Sequence, residues 1–445
     1  MLIILTSTSR AQEWEYLGLP GRIITAIAVR SADTIYASVH SGFPPTPGSV
    51  FRTTNAGLTW DTVVTNGSML DLKMNPRNPE ILYAGLGGSI YQPYGILKTT
   101  DAGNSWFHAD SGIYVDWETS VGVIEFDPMQ PETLYAGTHG FFGGNLYKST
   151  NGGQSWAAIG DGTLLEAGPT AIAIDPQSTQ TIYVGTSSIG SLLKSTDGGM
   201  SWGTTGLEGV SVLELAIDPL NHLLLLAGVD PTGGGAQRST DGGIAWTISN
   251  SGLPEGSALE DVEIHPLNRI VYGVAADSAG GIFVITDFGE TWVAMTGPPI
   301  DVGFSDLELS PDDQALYGGA RDYGIYRTFI MTHVSELLSL AGKSVILYPN
   351  YPNPFNPTTV IKYDLPTDSH VSLKVYDVLG REVLSLVDGV QTAGIHQVTL
   401  NASELSSGVY FYRLKARHMD ASPPSVWRGG QAGSFTDTKR LLLLK

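Results

Sequence analysis

The chain contains no cysteine in 445 residues, which excludes disulfides and thiolate metal sites. Basic residues are scarce. Only 24 Lys and Arg stand against 44 Asp and Glu, a formal net charge of −20. Binding to nucleic acid rests on a basic surface, so this composition argues against such a partner. No apolar run reaches the ~18 residues that a membrane-crossing helix needs. Gly-rich phosphate loops, His pairs at metal spacing and Gly-x-Ser-x-Gly nucleophile turns are all missing. No metal and no cofactor is expected. The hydrophobic fraction of 42% argues against wholesale disorder, and the 54 Gly and 25 Pro fall mostly where a many-stranded chain must turn.

One eight-residue pattern is present six times. It reads Thr53-Thr-Asn-Ala-Gly-Leu-Thr-Trp60, Thr99-Thr-Asp-Ala-Gly-Asn-Ser-Trp106, Ser149-Thr-Asn-Gly-Gly-Gln-Ser-Trp156, Ser195-Thr-Asp-Gly-Gly-Met-Ser-Trp202, Ser239-Thr-Asp-Gly-Gly-Ile-Ala-Trp246 and Ile285-Thr-Asp-Phe-Gly-Glu-Thr-Trp292. Its acid or amide falls at Asn55, Asp101, Asn151, Asp197, Asp241 and Asp287, in steps of 46, 50, 46, 44 and 46. A steady period in the forties means one supersecondary unit repeated. Each copy lies between short apolar runs, as in a hairpin. The Asx side chain accepts from the turn's own N–H groups, and the Gly two residues later takes a positive φ. Trp60, Trp106, Trp156, Trp202, Trp246 and Trp292 each open the next strand with a large face to bury. Two of the six acids are Asn, and turn chemistry accounts for every motif position, so the motif reads as structural.

Another strand pair precedes each copy, joined at Asn75-Pro76, Asp127-Pro128, Asp175-Pro176, Asp218-Pro219 or His265-Pro266. With a first pair at 25–39 and a last around Ser310-Pro311, there are seven such pairs but six motifs. The seventh unit stops at Gly324-Ile-Tyr-Arg-Thr328. The strand it lacks is found at the other end of the chain, in Glu13-Trp-Glu-Tyr-Leu17. The expectation is a ring of seven four-stranded blades over 12–330, closed by this N-terminal strand, because closure removes exposed strand edges.

The motif resembles the Asp-box, or BNR repeat, of sialidases, sortilin-type receptors, xyloglucan-active hydrolases and photosystem assembly-factor propellers. The resemblance covers about three-quarters of the chain. It implies an all-β, seven-bladed β-propeller with the motif on peripheral hairpins. It does not imply one activity, because those families differ in theirs.

Residues 331–344 read as a linker. The segment after it, 345–445, shows period-two alternation and reads as a small Ig-like β-sandwich. Four stretches resemble the type A C-terminal sorting domain of the type IX secretion system of Bacteroidota. They are Tyr351-Pro-Asn-Pro-Phe-Asn-Pro-Thr358, Val375-Tyr-Asp-Val-Leu-Gly-Arg381, Leu405-Ser-Ser-Gly-Val-Tyr-Phe-Tyr412 and Thr438-Lys-Arg-Leu-Leu-Leu-Leu-Lys445. Arg417–Gly430 reads as an insertion in the last hairpin. Residues 1–11 resemble the remnant of a secretory signal peptide, with Ser9-Arg10-Ala11 at its cleavage site. Both signals imply a protein that is secreted or held at the outer surface of a Gram-negative cell, with the type IX machinery as one partner.

Ligands of propellers usually occupy the central mouth. Alternation puts Tyr91, Tyr94, Trp117, Phe141 and Phe142 on loops of that face, where aromatic rings stack on sugars or anchor a protein. Arg321 is the best-placed mouth arginine. A glycoside hydrolase needs two carboxylates across the scissile bond. Asp116, Glu118, Asp161, Glu166, Glu208, Glu260, Asp277 and Asp322 share the face, too many to single out a pair. The sialidase Phe/Tyr-Arg-Ile-Pro start is met only as Arg22-Ile23, and xyloglucan-active relatives typically pair two propellers. No catalytic residue is assigned. The sequence favours a secreted propeller that binds a glycan or protein ligand. The alternatives are a glycoside hydrolase of sialidase-like or xyloglucan-active type and an assembly-factor-like scaffold.

Overall fold

The computed structural model describes residues 14–40, 48–65, 67–87, 95–114, 119–140, 144–160, 168–187, 191–266, 268–276, 281–285, 291–295, 303–330, 345–347, 350, 355–365, 368–378, 380–392, 394–418 and 434–443. The expected signal-peptide remnant at 1–11 and the expected linker at 331–344 lie outside them. The chain divides into two compact units, Met1–Ile330 and Met331–Lys445. Among the described residues it is all-β apart from one short 3-10 turn at Pro231–Gly233.

The first unit holds seven antiparallel four-stranded sheets. Sheet I comprises Ile24–Val29, Ile35–Val39, Ser49–Thr53 and Asp61–Thr65. Sheet II comprises Ser68–Met74, Leu82–Gly87, Gly95–Thr99 and Phe107–His108. Sheet III comprises Ser120–Phe126, Leu134–His139, Leu146–Ser149 and Ala157–Ile159. Sheet IV comprises Pro169–Ile174, Ile182–Thr186, Ser191–Ser195 and Gly203–Glu208. Sheet V comprises Val212–Ile217, Leu225–Val229, Ala236–Ser239 and Thr247–Ile248. Sheet VI comprises Ala258–Ile264, Val271–Ala276, Gly281–Ile285 and Val293–Ala294. Sheet VII comprises Phe304–Leu309, Ala315–Ala320, Gly324–Phe329 and, as its outer strand, Glu15–Gly18.

The first strand of each sheet packs on the first strand of the next, and that of sheet VII packs on that of sheet I. The sheets therefore form a closed cycle. Apolar second strands explain why the sheets stack. They are buried almost throughout and are covered by a neighbour on each face. Closure joins the two ends of this unit. Glu15 pairs with Arg327, Tyr16 with Tyr326 and Gly18 with Ile325. Leu17 is 2% exposed in the core that sheets I and VII share. Trp14 lies 5.9 Å from Phe304, and Arg327 donates to Glu15 at 2.6 Å.

Neighbouring sheets are also latched at their rims. The second-strand residues Tyr36, Tyr83 and Tyr183 are fully buried. Their hydroxyls donate to the carbonyls of Ala102, Gly152 and Gly242, in the motif turn of another sheet. A third-strand cation reaches the same carbonyl: Arg52, Lys98 and Lys194.

In the second unit, a three-stranded sheet (Ile346–Leu347, Thr358–Leu365, Gly394–Asn401) and a four-stranded one share a core. The latter runs Glu382–Gln391, Ser369–Tyr376, Gly408–His418, Ser434–Leu443. Asp377 accepts from Arg381 N at 3.0 Å and Arg381 Nε at 2.7 Å, which fastens the turn within Val375–Arg381. The last hairpin pairs Gly408 with Leu443 through to Arg417 with Ser434, and residues 419–433 between its legs lie outside the described residues.

Closure through Leu17 is testable by urea unfolding. Leu17→Ala should cost about 2–5 kcal/mol, the range for a buried leucine. Gly324 has φ 89°, and a Cβ there would meet the Gly18 carbonyl, so Gly324→Ala should also destabilise. Unchanged midpoints in both variants would remove the N-terminal strand from the fold.

Candidate functional site

The first strand of every sheet carries a β-bulge at the same place in its register. The bulge adds one residue to the strand without adding one to its partner, and it re-aims the side chains around it. These seven strands enclose a central channel whose cavity is about 210 Å³. Thr25, Leu70, Gly122, Thr170, Glu260 and Ser305 line it from bulge positions. The residues that follow supply Asp71, Lys73, Glu125, Glu214, Asp261, Glu263, Asp306 and Glu308.

Three of these acids join neighbouring sheets. Asp71 Oδ2 accepts from Ile124 N of sheet III at 2.6 Å, and Asp306 Oδ2 from Ile27 N of sheet I at 2.8 Å. Asp261 Oδ2 accepts from Leu307 N of sheet VII. Lys73 is the sole cation lining the channel among the described residues, and its Nζ lies 3.6 Å from Glu125 Oε2.

So many carboxylates in an enclosed space resist ionisation. Burial, reinforced by Asp261, pushes Glu214 up to about 8. Burial also raises Glu308 to about 7 and Asp261 to about 6, with Lys73 opposing both. Glu263 and Asp306 lie well above the carboxylate range through burial and their acidic neighbours. Burial raises Asp71 and Glu125 as well. For Lys73, burial works against the charge, but Glu125, Asp71, Glu308 and Glu214 overcome it and hold the ammonium firmly charged. Lys73 and Glu125 face the open channel, with side chains 42% and 32% exposed. Protein nonetheless surrounds that space, so the enclosure still disfavours charge.

Glu260 lines the channel, and Arg321 forms an ion pair with it. Arg321, the best-placed mouth arginine in the sequence, and Glu260, one of the eight candidate acids, are thus brought together. Arg321 follows the second strand of sheet VII and bridges to Ile23. Asp322, next to it, donates its N–H to Arg22 O in a left-handed turn of φ 64°. Glu208 ends the outer strand of sheet IV and does not line the channel. Tyr91, Tyr94, Trp117, Phe141, Phe142, Asp116, Glu118, Asp161, Glu166 and Asp277 lie outside the described residues.

The channel acids went unnoticed in the sequence, although a signal existed. Acids two residues apart recur in first strands as Asp261/Glu263 and Asp306/Glu308, with Asp71/Lys73 in the same register. Alternation put them on one face of a strand. It did not reveal that seven such faces converge.

The motif side chains are occupied within their own turns. Asp197 Oδ1 accepts from Ser201 N at 2.9 Å and Ser195 Oγ at 2.8 Å, while Ser201 Oγ donates to Oδ2. Asp101 does the same with Ser105 and Thr99. Asn55, Asn151 and Asp241 each accept from a backbone N–H four residues on. Asp287 lies outside the described residues. Hydrogen bonds led by the Ser105 and Ser201 hydroxyls hold Asp101 and Asp197 down at about 2. Trp60, Trp156 and Trp292 donate to the carbonyls of Leu17, Ala109 and Ser249, beside the outer strand of another sheet. Trp202 is buried; Trp106 and Trp246 are partly buried against apolar clusters.

Comparison with known proteins assigns residues 350–422 to the family described as the secretion system C-terminal sorting domain. That domain indicates a secreted or cell-surface protein of Bacteroidota-like bacteria and implies interaction with the type IX machinery. Over 242 residues the chain is 28% identical to a xyloglucanase of Hypocrea jecorina (strain QM6a), covering 44% of this chain and 28% of that protein. Over 167 residues it is 32% identical to a xyloglucanase of a Paenibacillus species, covering 36% of this chain and 14% of that protein. The matches thus span under a third of either relative's length. Among solved structures, the Niastella koreensis GH74 enzyme aligns with a TM-score of 0.54 at 18% identity, over 79% of this chain and 59% of its own. YCF48 from Cyanidioschyzon merolae aligns at 0.51 and 14% identity, over 71% and 98%. These likenesses establish an all-β, propeller-like fold.

Two substitutions test the electrostatics. Lys73→Met should destabilise by about 1–3 kcal/mol, below the 3–5 of a dry buried pair because its partners face the open channel. The loss should be larger at pH 8, where more of the acids are charged, than at pH 5, as read by urea unfolding. The motif acids behave oppositely. A lowered folded-state pKa stabilises above the unfolded value of about 4, and that contribution is lost as pH falls towards the folded value. The stability gap between the wild type and Asp197→Ala should therefore close as pH drops from about 4 towards 2.

Proposed function

We propose that the seven sheets are the blades of a seven-bladed β-propeller, followed by an Ig-like sorting domain, and that the propeller binds an extracellular polysaccharide of the xyloglucan class. The six eight-residue copies are its Asp-box hairpins. The boundaries are 12–330 for the propeller and 345–445 for the sorting domain. The xyloglucanase relatives support this polysaccharide class.

Binding is favoured over hydrolysis by one observation. The channel carboxylates line the ring's interior, and Asp71, Asp261 and Asp306 accept backbone N–H groups from adjacent sheets. An acid fixed in this way serves packing, whereas a glycosidase pair faces substrate across an open cleft. The polysaccharide docks at the mouth, on Tyr91, Tyr94, Trp117, Phe141, Phe142 and Arg321. Stacking on aromatic faces and hydrogen bonds to the guanidinium suit a neutral sugar chain.

The second reading is a glycoside hydrolase, which the xyloglucanase and GH74 similarities support. Calorimetric titration with xyloglucan oligosaccharides and an assay for new reducing ends separate the two. Binding without new reducing ends is the expected result. Trp117→Ala or Tyr94→Ala should weaken it by about 1–3 kcal/mol, the usual cost of an aromatic anchor. Release of reducing ends that Glu260→Gln abolishes would establish the hydrolase.

Export is tested separately. Residues 345–445 behind a signal peptide and a reporter should carry the reporter across the outer membrane of a host with type IX machinery. Removing 438–445 deletes much of the last strand's pairing with Gly408–Arg413 and should leave the reporter in the periplasm. Equal secretion by both fusions would refute the assignment.

A further inference from the structure

We propose that the joint between sheets VI, VII and I is a pH-sensitive seam: proton uptake by the acids lining it holds the ring shut, and their ionisation loosens this joint before any other. The first strands supply the seam's polar contacts on the channel side, beneath the apolar core that sheets VII and I also share. Asp261 of sheet VI accepts from Leu307 N of sheet VII, and Asp306 of sheet VII accepts from Ile27 N of sheet I. Ser305 Oγ donates to Ile24 O at 2.6 Å across the same VII–I joint. Glu263 and Glu308 stand two residues further along the same two strands, which brings four carboxylates to two adjacent strands.

The charges facing the seam from the rest of the channel do not balance it. Sheet II brings Asp71 and Lys73, sheet III Glu125 and sheet V Glu214. Sheets I and IV bring none, since their lining residues are Thr25, Ala26, Ile27, Thr170 and Ile172. Lys73 is shared among Glu125, Asp71, Glu308 and Glu214. Among the described residues, Arg321 pairs with Glu260. Full ionisation would therefore set seven carboxylates against one ammonium, most densely where VI meets VII.

The direction of the effect follows from proton linkage. The acids at the seam bind protons more tightly in the folded ring than in the unfolded chain. Between the unfolded value of about 4 and the folded values, the ring holds more protons, so stability falls as pH rises. The loss is steepest between the unfolded value of about 4 and Asp261 at about 6, and it slackens as Asp261 and then Glu308, at about 7, ionise in the folded ring. The seam also coincides with chain closure, because sheet VII takes its outer strand from Glu15–Gly18. Ionisation thus acts on the one sheet whose strands come from both ends of the propeller.

The test uses the full chain and two readouts. Urea midpoints are measured from pH 5 to pH 8.5 for the wild type, for Glu263→Gln/Glu308→Gln, which leaves the backbone-accepting aspartates in place, and for Glu208→Gln at the periphery. The wild type and Glu208→Gln should lose stability as pH rises. The double variant should lose stability less steeply and should be more stable than the wild type at pH 8.5. Amide exchange of the wild type supplies a reading that needs no variant to fold. Beyond the intrinsic pH dependence, Ile27 and Leu307 should lose about tenfold more protection between pH 6 and 8.5 than Ile124, which Asp71 holds in the same manner. A wild-type midpoint that is flat or rises with pH would overturn the proposal. So would equal slopes in wild type and double variant, or uniform loss of protection at all three amides.

Discussion

The pairing of Glu15–Gly18 with Gly324–Phe329 is the constraint on which the first unit depends. Every sheet in the cycle is sandwiched between two others, and its second strand is buried on both faces only because both neighbours exist. A cycle missing one contact would expose an apolar sheet face at each side of the gap. Closure is therefore a cooperative matter, and it needs the ends of a stretch of some 300 residues to meet. Three separate features hold them: the backbone ladder, the buried Leu17 side chain and the bridge from Arg327 to Glu15. Trp60 adds a fourth, since its indole N–H from sheet I donates to Leu17 O.

The rim latches follow the same logic. A buried tyrosine hydroxyl is costly unless bonded. In this cycle the acceptor is the motif turn of the neighbouring sheet, and a lysine or arginine shares it. The motif thus does two things. Its side chains shape the turn, while its carbonyls face the adjacent sheet. Sheet VII has no motif turn, because its outer strand arrives from the start of the chain. Tyr272 of sheet VI and Tyr317 of sheet VII are buried with hydroxyls that find no partner among the described residues.

Much of this architecture was legible in the sequence because it is periodic. The forty-odd residue step and the Gly of each turn identify a repeated hairpin unit, and the count of strands shows one missing at the end and one spare at the start. Positive φ at Gly57, Gly103, Gly153, Gly199 and Gly243 agrees with the turn chemistry, although Ala56 and Ala102 adopt it too, at 54° and 57°, which composition does not foretell. The all-β character of the second unit was equally readable from alternation. What remained hidden was convergence. A strand such as Asp306-Leu307-Glu308 looks like an ordinary half-exposed strand, with acids outward. Only closing the ring turns seven outward faces into one interior. Apart from Glu260, the channel acids were therefore not singled out, while the search for chemistry went to the loops.

That distinction bears on function. Carboxylates with raised proton affinity are what a search for a glycosidase acid would look for. Here burial and crowding produce the same shift without an open cleft, so the shift alone does not distinguish an acid that reacts from one that packs. What separates them is the partner of each oxygen. Asp71, Asp261 and Asp306 each give Oδ2 to the backbone of an adjacent sheet, which fixes the carboxyl in the packing between sheets. Glu260 is different. It sits on a bulge and binds a side chain rather than backbone, and its partner Arg321 is half exposed. Breaking that ion pair would free both groups without disturbing any ladder bond. If the propeller engages a sugar chain through polar groups as well as aromatic ones, this pair is where the fold can yield a donor and an acceptor at the least structural cost.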